Sequence, residues 1–116
     1  MDFIVGGRAQ GKTAYALKKY GLREDEICDG ALCLPQEAEN SRMVNHLHEL
    51  IRRFPEWTPS FRADAVILCD EIGGGIVPAD AEERDFRDRV GRIGCRIAAE
   101  ADSVTRIVFG IPAKLK

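Results

Sequence analysis

The chain has 116 residues, with 17 basic and 19 acidic side chains, and its calculated isoelectric point is about 5.7. This length suits one hydrophobic core, so we expect residues 1–116 to form a single domain. The near balance of charge excludes a strong basic patch for nucleic acid or an anionic membrane. Because the sequence shows neither a membrane-spanning apolar stretch nor a signal-peptide pattern, we predict a cytoplasmic protein without a membrane or nucleic-acid partner.

Residues 6–13 match the phosphate-loop (P-loop) pattern, in which two glycines with four residues between them are followed by Lys and Thr. An apolar run at residues 3–5 can form a buried strand before the loop, and residues 14–20 can form a helix after it. Strand, loop and helix are the context that the motif requires. The eight residues of the loop are Gly6, Gly7, Arg8, Ala9, Gln10, Gly11, Lys12 and Thr13.

These residue types suit the charge of a nucleotide polyphosphate. Glycines let successive backbone N–H groups turn toward the phosphates, and the following helix presents its positive end. Lys12 adds a mobile positive charge near the β- and γ-phosphates, and the Thr13 hydroxyl can bind Mg²⁺. We therefore predict binding of GTP or ATP with Mg²⁺, against the alternative of an ordinary glycine-rich turn.

A second apolar run, residues 65–69, ends in Asp70 and Glu71 and is typical of a central parallel strand. We expect Asp70 to lie opposite the phosphate loop and to help Thr13 hold Mg²⁺, while Glu71 orients or deprotonates the nucleophile. Two solvated acids at a strand end are the alternative. The following loop is a candidate lid or substrate clamp, with Gly73, Gly74, Gly75 and Pro78 as its predicted substrate-binding residues.

Residues 26–29 form a short, weakly apolar strand candidate that ends at Asp29 and Gly30. Two interpretations of Asp29 remain open. It faces the nucleotide, because ligands of open α/β sheets lie beyond the carboxyl ends of strands, or Asp-Gly simply marks a turn. Residues 31–40 show no clear period and are predicted to be a loop.

A core-facing helix is predicted next, capped by Ser41, because apolar residues recur at helical spacing before Pro55. Those apolar residues are Met43, Leu47, Leu50, Ile51 and Phe54. His46 and His48 would lie within this helix on different sides, which excludes a helical metal pair. Structural histidines are the default interpretation.

The last third predicts a long helix and a final strand. Asp80 with Glu83 three residues later resembles a capping box. The apolar face of the helix that it opens consists of Phe86, Val90, Ile93, Ile97 and Ala101. Residues 104–109 are predicted to form the final strand. Together the elements indicate an α/β fold, a P-loop NTPase-like three-layer domain with a mainly parallel central sheet.

Several motifs resemble the bifunctional adenosylcobinamide kinase and adenosylcobinamide-phosphate guanylyltransferase family of cobalamin biosynthesis. Members of that family open with a Gly-Gly-x-x-x-Gly-Lys-Ser/Thr loop, matched by residues 6–13. A more specific block, Asn-Glu-Val-Gly-x-Gly-Ile-Val-Pro, is matched by residues 70–78, which read Asp-Glu-Ile-Gly-Gly-Gly-Ile-Val-Pro. Residues 84–88 and 110–116 match the family's Arg-x-Phe-Arg-Asp and Gly-x-Pro-x-Lys-Leu-Lys motifs.

The resemblance implies phosphoryl transfer from a purine nucleoside triphosphate to a hydroxyl of adenosylcobinamide, a corrinoid, with Lys12, Asp70 and Glu71 as catalytic residues. It also implies a homo-oligomer, with a trimer as the form known in the family. A non-catalytic GTP- or ATP-binding regulatory or scaffold module is the alternative. Retention of Glu71 beside Asp70 argues against that module, and a shortened middle segment argues for it.

The middle segment admits two alignments with the family, which carries its guanylyl group on a histidine. In one, residues 42–46 stand for the histidine segment and His46 is the nucleophile. In the other, residues 27–30 stand for a later family strand and the histidine segment is deleted. We prefer the second, because it needs one deletion and keeps the order of the motifs.

Overall fold

The structure is a computed structural model that describes residues 1–72 and 80–116. Within these residues, strands and helices alternate along most of the chain. The strands are β1 (Asp2–Gly6), β2 (Ile27–Asp29), β3 (Met43–Asn45), β4 (Val66–Asp70), β5 (Ser103–Val108) and β6 (Ile111–Lys114). The helices are α1 (Lys12–Tyr20), α2 (Pro35–Asn40), α3 (Leu47–Arg53) and α4 (Ala81–Glu100).

The strands form one sheet in the order β2-β3-β4-β1-β5-β6. Neighbouring strands from β2 to β5 run parallel, and β6 pairs antiparallel with β5. The carboxyl ends of the parallel strands therefore meet at one edge, where Gly6 pairs with Asp70. The predicted α/β fold with a mainly parallel sheet is confirmed.

Helices cover both faces of the sheet, which gives the three layers. On one face, α1 packs through Ala16 against Ile4, Leu68 and Ile107. On the other, α3 and α4 cover a larger core whose members include Phe3, Val44, Ile67, Leu50 and Val90. Because β1 and β4 are covered on both faces, their sequences are continuous apolar runs. This explains why both strands were recognised from sequence.

The predicted helix that starts at Ser41 is wrong in its first half. Ser41 is instead the C-terminal cap of α2, Met43–Asn45 is strand β3, and the helix α3 begins only at Leu47. Met43 and Val44 are both fully buried, on opposite faces of the sheet. An apolar pair four and three residues before Leu47 fits helical spacing and a short buried strand equally well, so the pattern could not separate the two.

Three smaller predictions also need correction. Residues 31–40, predicted to be a loop, include α2, which has a proline at its start, a position where the missing N–H costs nothing. The final strand ends at Val108, and β6 follows after a turn. The Asp80 side chain does cap α4 by accepting from the Glu82 N–H, but Glu83 pairs with Arg52 rather than completing a capping box.

The predicted substrate-binding residues Gly73, Gly74, Gly75 and Pro78 lie outside the described residues.

Among the glycines of residues 1–72 and 80–116, Gly30 has the least room for a side chain. A Cβ there would lie 2.2 Å from the His46 carbonyl oxygen and 2.8 Å from that of Asn45. We expect Gly30→Ala to lower the free energy of unfolding by about 1–3 kcal/mol, because the backbone after β3 must move. Gly91→Ala is the matched control: Gly91 is helical with nothing near a Cβ, so a gain of about 0.5–1 kcal/mol is expected. Urea denaturation measures both, and equal midpoints for the two variants would contradict this packing.

Candidate functional site

The phosphate loop connects β1 to α1 at the carboxyl edge of the sheet. Ala9 and Gly11 have positive φ angles of 58° and 92°, which turn the loop back over the end of its own strand. Lys12, the first residue of α1, donates from Nζ to the carbonyl oxygens of Gly6 at 3.2 Å and Gly7 at 2.8 Å. The loop is thus folded around its own lysine.

Asp70 provides the negative partner of that lysine. Its Oδ1 lies 2.8 Å from Lys12 Nζ, and the two side chains are only 7% and 16% exposed. The β1–β4 register brings them together, because Asp70 ends β4 directly beside Gly6. A buried ammonium needs such a partner, since an unpaired buried charge is strongly unfavourable. The predicted position of Asp70 opposite the loop is therefore what the structure has.

His48, on the first turn of α3, supports Asp70 from the other side. The Asp70 backbone N–H donates to His48 Nδ1 at 3.3 Å, so the neutral ring carries its proton on Nε2, 3.6 Å from Asp70 Oδ2. Burial lowers the pKa of His48, although the charges of Asp70 and Glu49 act in the opposite direction. His48 is therefore buried beside Asp70 and contacts it mainly through the hydrogen bond from the Asp70 backbone N–H.

Asn45, at the end of β3, contacts the other predicted Mg²⁺ ligand. Its Nδ2 donates to Thr13 Oγ1 at 3.0 Å, and its Oδ1 accepts from the His46 N–H at 2.8 Å. Sequence reasoning missed this residue because β3 itself was missed. A strand assignment at 43–45 would have placed Asn45 at the carboxyl edge, where ligand-binding side chains of α/β sheets lie.

His46 and Asp29 form a pair at the ends of β3 and β2. His46 Nδ1 lies 2.8 Å from Asp29 Oδ1, and His46 has a positive φ of 53° at the N-cap of α3. Partial burial would raise the pKa of Asp29, but the Ala31 N–H and the His46 ring stabilise the carboxylate and hold that pKa below its usual value. The carboxylate accepts from Nδ1 and leaves Nε2 as the ring nitrogen that can act on a ligand.

One cleft of about 660 Å³ brings these groups together, except Asp29, which does not line it. The prediction that the two histidines lie on different sides of a helix is wrong, because His46 precedes α3 and both rings line the cleft, with centroids 5.8 Å apart. The polar residues lining the cleft are Arg8, Gln10, Lys12, Thr13, Asn45, His46, His48, Glu49, Arg52 and Asp70. Glu49 is a carboxylate of the cleft that no sequence motif singled out.

Glu71 follows Asp70 but is held differently. Its carboxylate accepts two hydrogen bonds from Arg106 on β5, at 2.6 and 3.1 Å, and it is not among the residues that line the cleft. The backbone N–H of Glu71 also donates to the Gly6 carbonyl at 2.9 Å. Its predicted action on a nucleophile would require the carboxylate to leave Arg106.

The oxygen atoms of Thr13 and Asp70 suit Mg²⁺. Both side chains line the same cleft beside the phosphate loop, and hydroxyl and carboxylate oxygens are hard ligands of the kind that this ion prefers. Two protein ligands are sufficient, because Mg²⁺ commonly keeps several waters and takes its other oxygens from phosphates. The residues present therefore fit the ion.

Comparison with known proteins gives consistent results. The family model described as CobU, cobinamide kinase / cobinamide phosphate guanyltransferase, matches residues 30–115. A stretch of 54 residues is 46% identical to the bifunctional adenosylcobalamin biosynthesis protein CobU of Salmonella typhimurium strain LT2. The protein of the same name from Escherichia coli strain K12 is 43% identical over 54 residues. Each match covers 47% of this chain and only 30% of the relative.

The family match spans β3, β4, α3 and α4, and with them Asn45, both histidines and Asp70. Across residues 1–72 and 80–116, no helix has the length and apolar character needed to cross a membrane. The matched residues make up well over half of the chain. The chain therefore belongs to the cobinamide kinase / cobinamide phosphate guanyltransferase family.

Proposed function

We propose that the chain binds a purine nucleoside triphosphate with Mg²⁺ in this cleft and transfers its γ-phosphoryl group to a hydroxyl of adenosylcobinamide. The observation that carries the proposal is the pairing of Lys12 with Asp70 beneath a phosphate loop, with Thr13 beside it. Membership of the family supports the corrinoid acceptor, as it does assembly into a homo-oligomer such as a trimer.

Lys12 is the residue whose contacts must change on binding. In the structure its ammonium is satisfied by two loop carbonyls and Asp70. Phosphate oxygens would replace the carbonyls, and the positive charge would then face the β- and γ-phosphates. When bound, Mg²⁺ would neutralise part of the phosphate charge, with Thr13 and Asp70 as its protein ligands.

In the transfer step, the acceptor oxygen forms a bond to the γ-phosphorus as the bond from that phosphorus to the β–γ bridging oxygen breaks. The nucleoside diphosphate leaves with the electron pair, and the hydroxyl proton goes to a carboxylate. Glu49, which lines the cleft, is better placed to accept this proton than Glu71, which Arg106 holds. The main contribution of the protein is positioning and charge stabilisation.

Guanylyl transfer is the second candidate function, and the His46–Asp29 pair favours it. His46 Nε2 would attack the α-phosphorus of GTP, and pyrophosphate would leave with the electron pair of the broken P–O bond. The guanylyl group on His46 would then pass to a phosphate oxygen of the acceptor. Asp29 would fix the ring orientation and stabilise the charge that develops on the imidazole.

Substitution of Lys12 tests nucleotide binding. We expect Lys12→Gln to weaken ATP and GTP binding by about 10- to 150-fold, because hydrogen bonds to charged groups are lost. Lys18→Gln is the control, since Lys18 is an exposed residue in the last turn of the same helix. Isothermal titration calorimetry measures the affinities, and urea denaturation checks that each variant is folded. Equal affinities for the Lys12→Gln variant and the unmodified chain would contradict the proposed site.

Removal of the Thr13 hydroxyl tests the metal site. In Thr13→Val we expect the gain in ATP affinity that Mg²⁺ produces to fall by about tenfold, whereas affinity measured with EDTA should change little. Thr58→Val is the control, because Thr58 is exposed and lies outside the cleft. Titrations with and without Mg²⁺ measure the difference. A full Mg²⁺ effect in Thr13→Val would remove Thr13 from the ligand set.

A covalent adduct tests the histidine. Incubation with GTP labelled at the α-phosphate should label the chain through an acid-labile P–N bond, and His46→Asn should abolish the label. Asp29→Asn should slow labelling roughly a hundredfold, because the imidazole loses the partner that fixes its tautomer. Asp25→Asn, on an exposed carboxylate 72% accessible, should have no effect. Undiminished labelling of His46→Asn would place the guanylyl group elsewhere.

A further inference from the structure

The turn between β5 and β6 contains an aromatic residue in an unfavourable conformation. Phe109 and Gly110 form a two-residue connection between the paired residues Val108 and Ile111, and their φ angles are 48° and 74°. Two positive φ angles are characteristic of a type I′ turn, where Asn-Gly is the favoured sequence. A bulky residue rarely adopts φ above zero, and such outliers concentrate at functional sites.

Two hydrogen bonds connect this turn to the phosphate loop. The Phe109 N–H donates to Gln10 Oε1 at 2.8 Å, and the Gly110 N–H donates to the Gln10 carbonyl oxygen at 2.8 Å. A Cβ on Gly11 would lie 3.4 Å from the Gly110 Cα, so the two backbones are also in close approach. The turn therefore cannot move independently of the loop that would hold the phosphates.

The Phe109 side chain is 83% exposed, the largest exposed fraction among the large apolar residues of the described chain. Burial in the core of this chain therefore does not account for its aromatic ring. An exposed ring next to a ligand loop is a surface on which another planar group can stack, because aromatic faces attract each other in offset or edge arrangements.

The order of the strands indicates which part of a nucleotide reaches this ring. Lys12 and Asp70 meet on the β4 side of β1, whereas Phe109 follows β5, the neighbour of β1 on the other side. When the terminal phosphates lie near Lys12 and the predicted metal ligands, the nucleoside at the other end of the molecule lies on the β5 side. Adjacent strands are about 4.8 Å apart, so the step from the loop to Phe109 is within the reach of one nucleotide.

We propose that Phe109 is the stacking surface for the purine ring of the nucleoside triphosphate. The inference rests on the proposed nucleotide site and adds the base-binding residue to it. Stacking uses the π face that every base has, so this contact gives affinity for ATP and GTP alike and does not choose between them. Gln10 is a positioning residue, because it holds the turn that presents the ring.

Calorimetric titration of the full chain with three Mg²⁺-bound ligands tests the inference. The ligands are ATP, GTP and inorganic tripolyphosphate, which shares the phosphates but has no base. In Phe109→Asn we expect about 5- to 150-fold weaker binding of both nucleotides, the loss typical of removing one aromatic–base stack, and unchanged binding of tripolyphosphate. Phe109→Trp should retain nucleotide affinity within about threefold, because its ring can stack equally well.

A loss of binding in Phe109→Asn would not be caused by unfolding of the variant. Asn suits a type I′ turn better than Phe, so Phe109→Asn should have a urea midpoint at or above that of the unmodified chain. Ile111→Ala is the matched control, because Ile111 is an exposed apolar residue of the same hairpin, 68% accessible. It should bind all three ligands as the unmodified chain does.

Each other outcome overturns the inference. If tripolyphosphate binds but Phe109→Asn leaves nucleotide affinity unchanged, the phosphate site stands and the stacking role is wrong. If Phe109→Asn instead lowers the mass measured by sedimentation with nucleotide affinity intact, the ring is a contact between subunits. If none of the three ligands binds the unmodified chain, the proposed function fails and the inference fails with it.

Discussion

The ion pair between Lys12 and Asp70 is the contact on which the rest of the cleft depends. The ammonium of a lysine side chain that is only 7% exposed is stable only while a carboxylate and carbonyl oxygens surround it. That environment requires the β1–β4 register, a loop wound back over β1, and His48 behind Asp70. The charged centre therefore constrains two strands and two helices at once.

Much of this arrangement could be predicted from sequence, because its determinants are local. The phosphate loop is a contiguous motif between a strand and a helix, and β4 is a continuous apolar run that ends in Asp70. A parallel strand that is covered on both faces consists almost entirely of apolar residues, so its sequence is easy to recognise. The opposition of Lys12 and Asp70 then follows from two neighbouring strands that end at the same edge.

The rest of the cleft depends on pairings that no local pattern reveals. β3 has only three residues, and its Met43 falls at helical spacing from Leu47, so Asn45 and His46 appeared to lie inside a helix. Their contacts with Thr13 and Asp29 exist only once β3 is inserted between β2 and β4. Similarly, nothing near Glu71 in sequence indicates that Arg106, 35 residues later, holds its carboxylate.

The strand order also sets the distances between groups along the carboxyl edge of the sheet. His46 follows β3 and Phe109 follows β5, with β4 and β1 between them, a separation of about 14 Å at the usual strand spacing. A nucleotide with its purine on the β5 side extends its γ-phosphorus toward β4 and keeps its α-phosphorus near the ribose. The bond broken in guanylyl transfer would then lie at the far end from His46. The two family reactions, each of which consumes its own triphosphate, would therefore require opposite orientations of the nucleotide in this cleft.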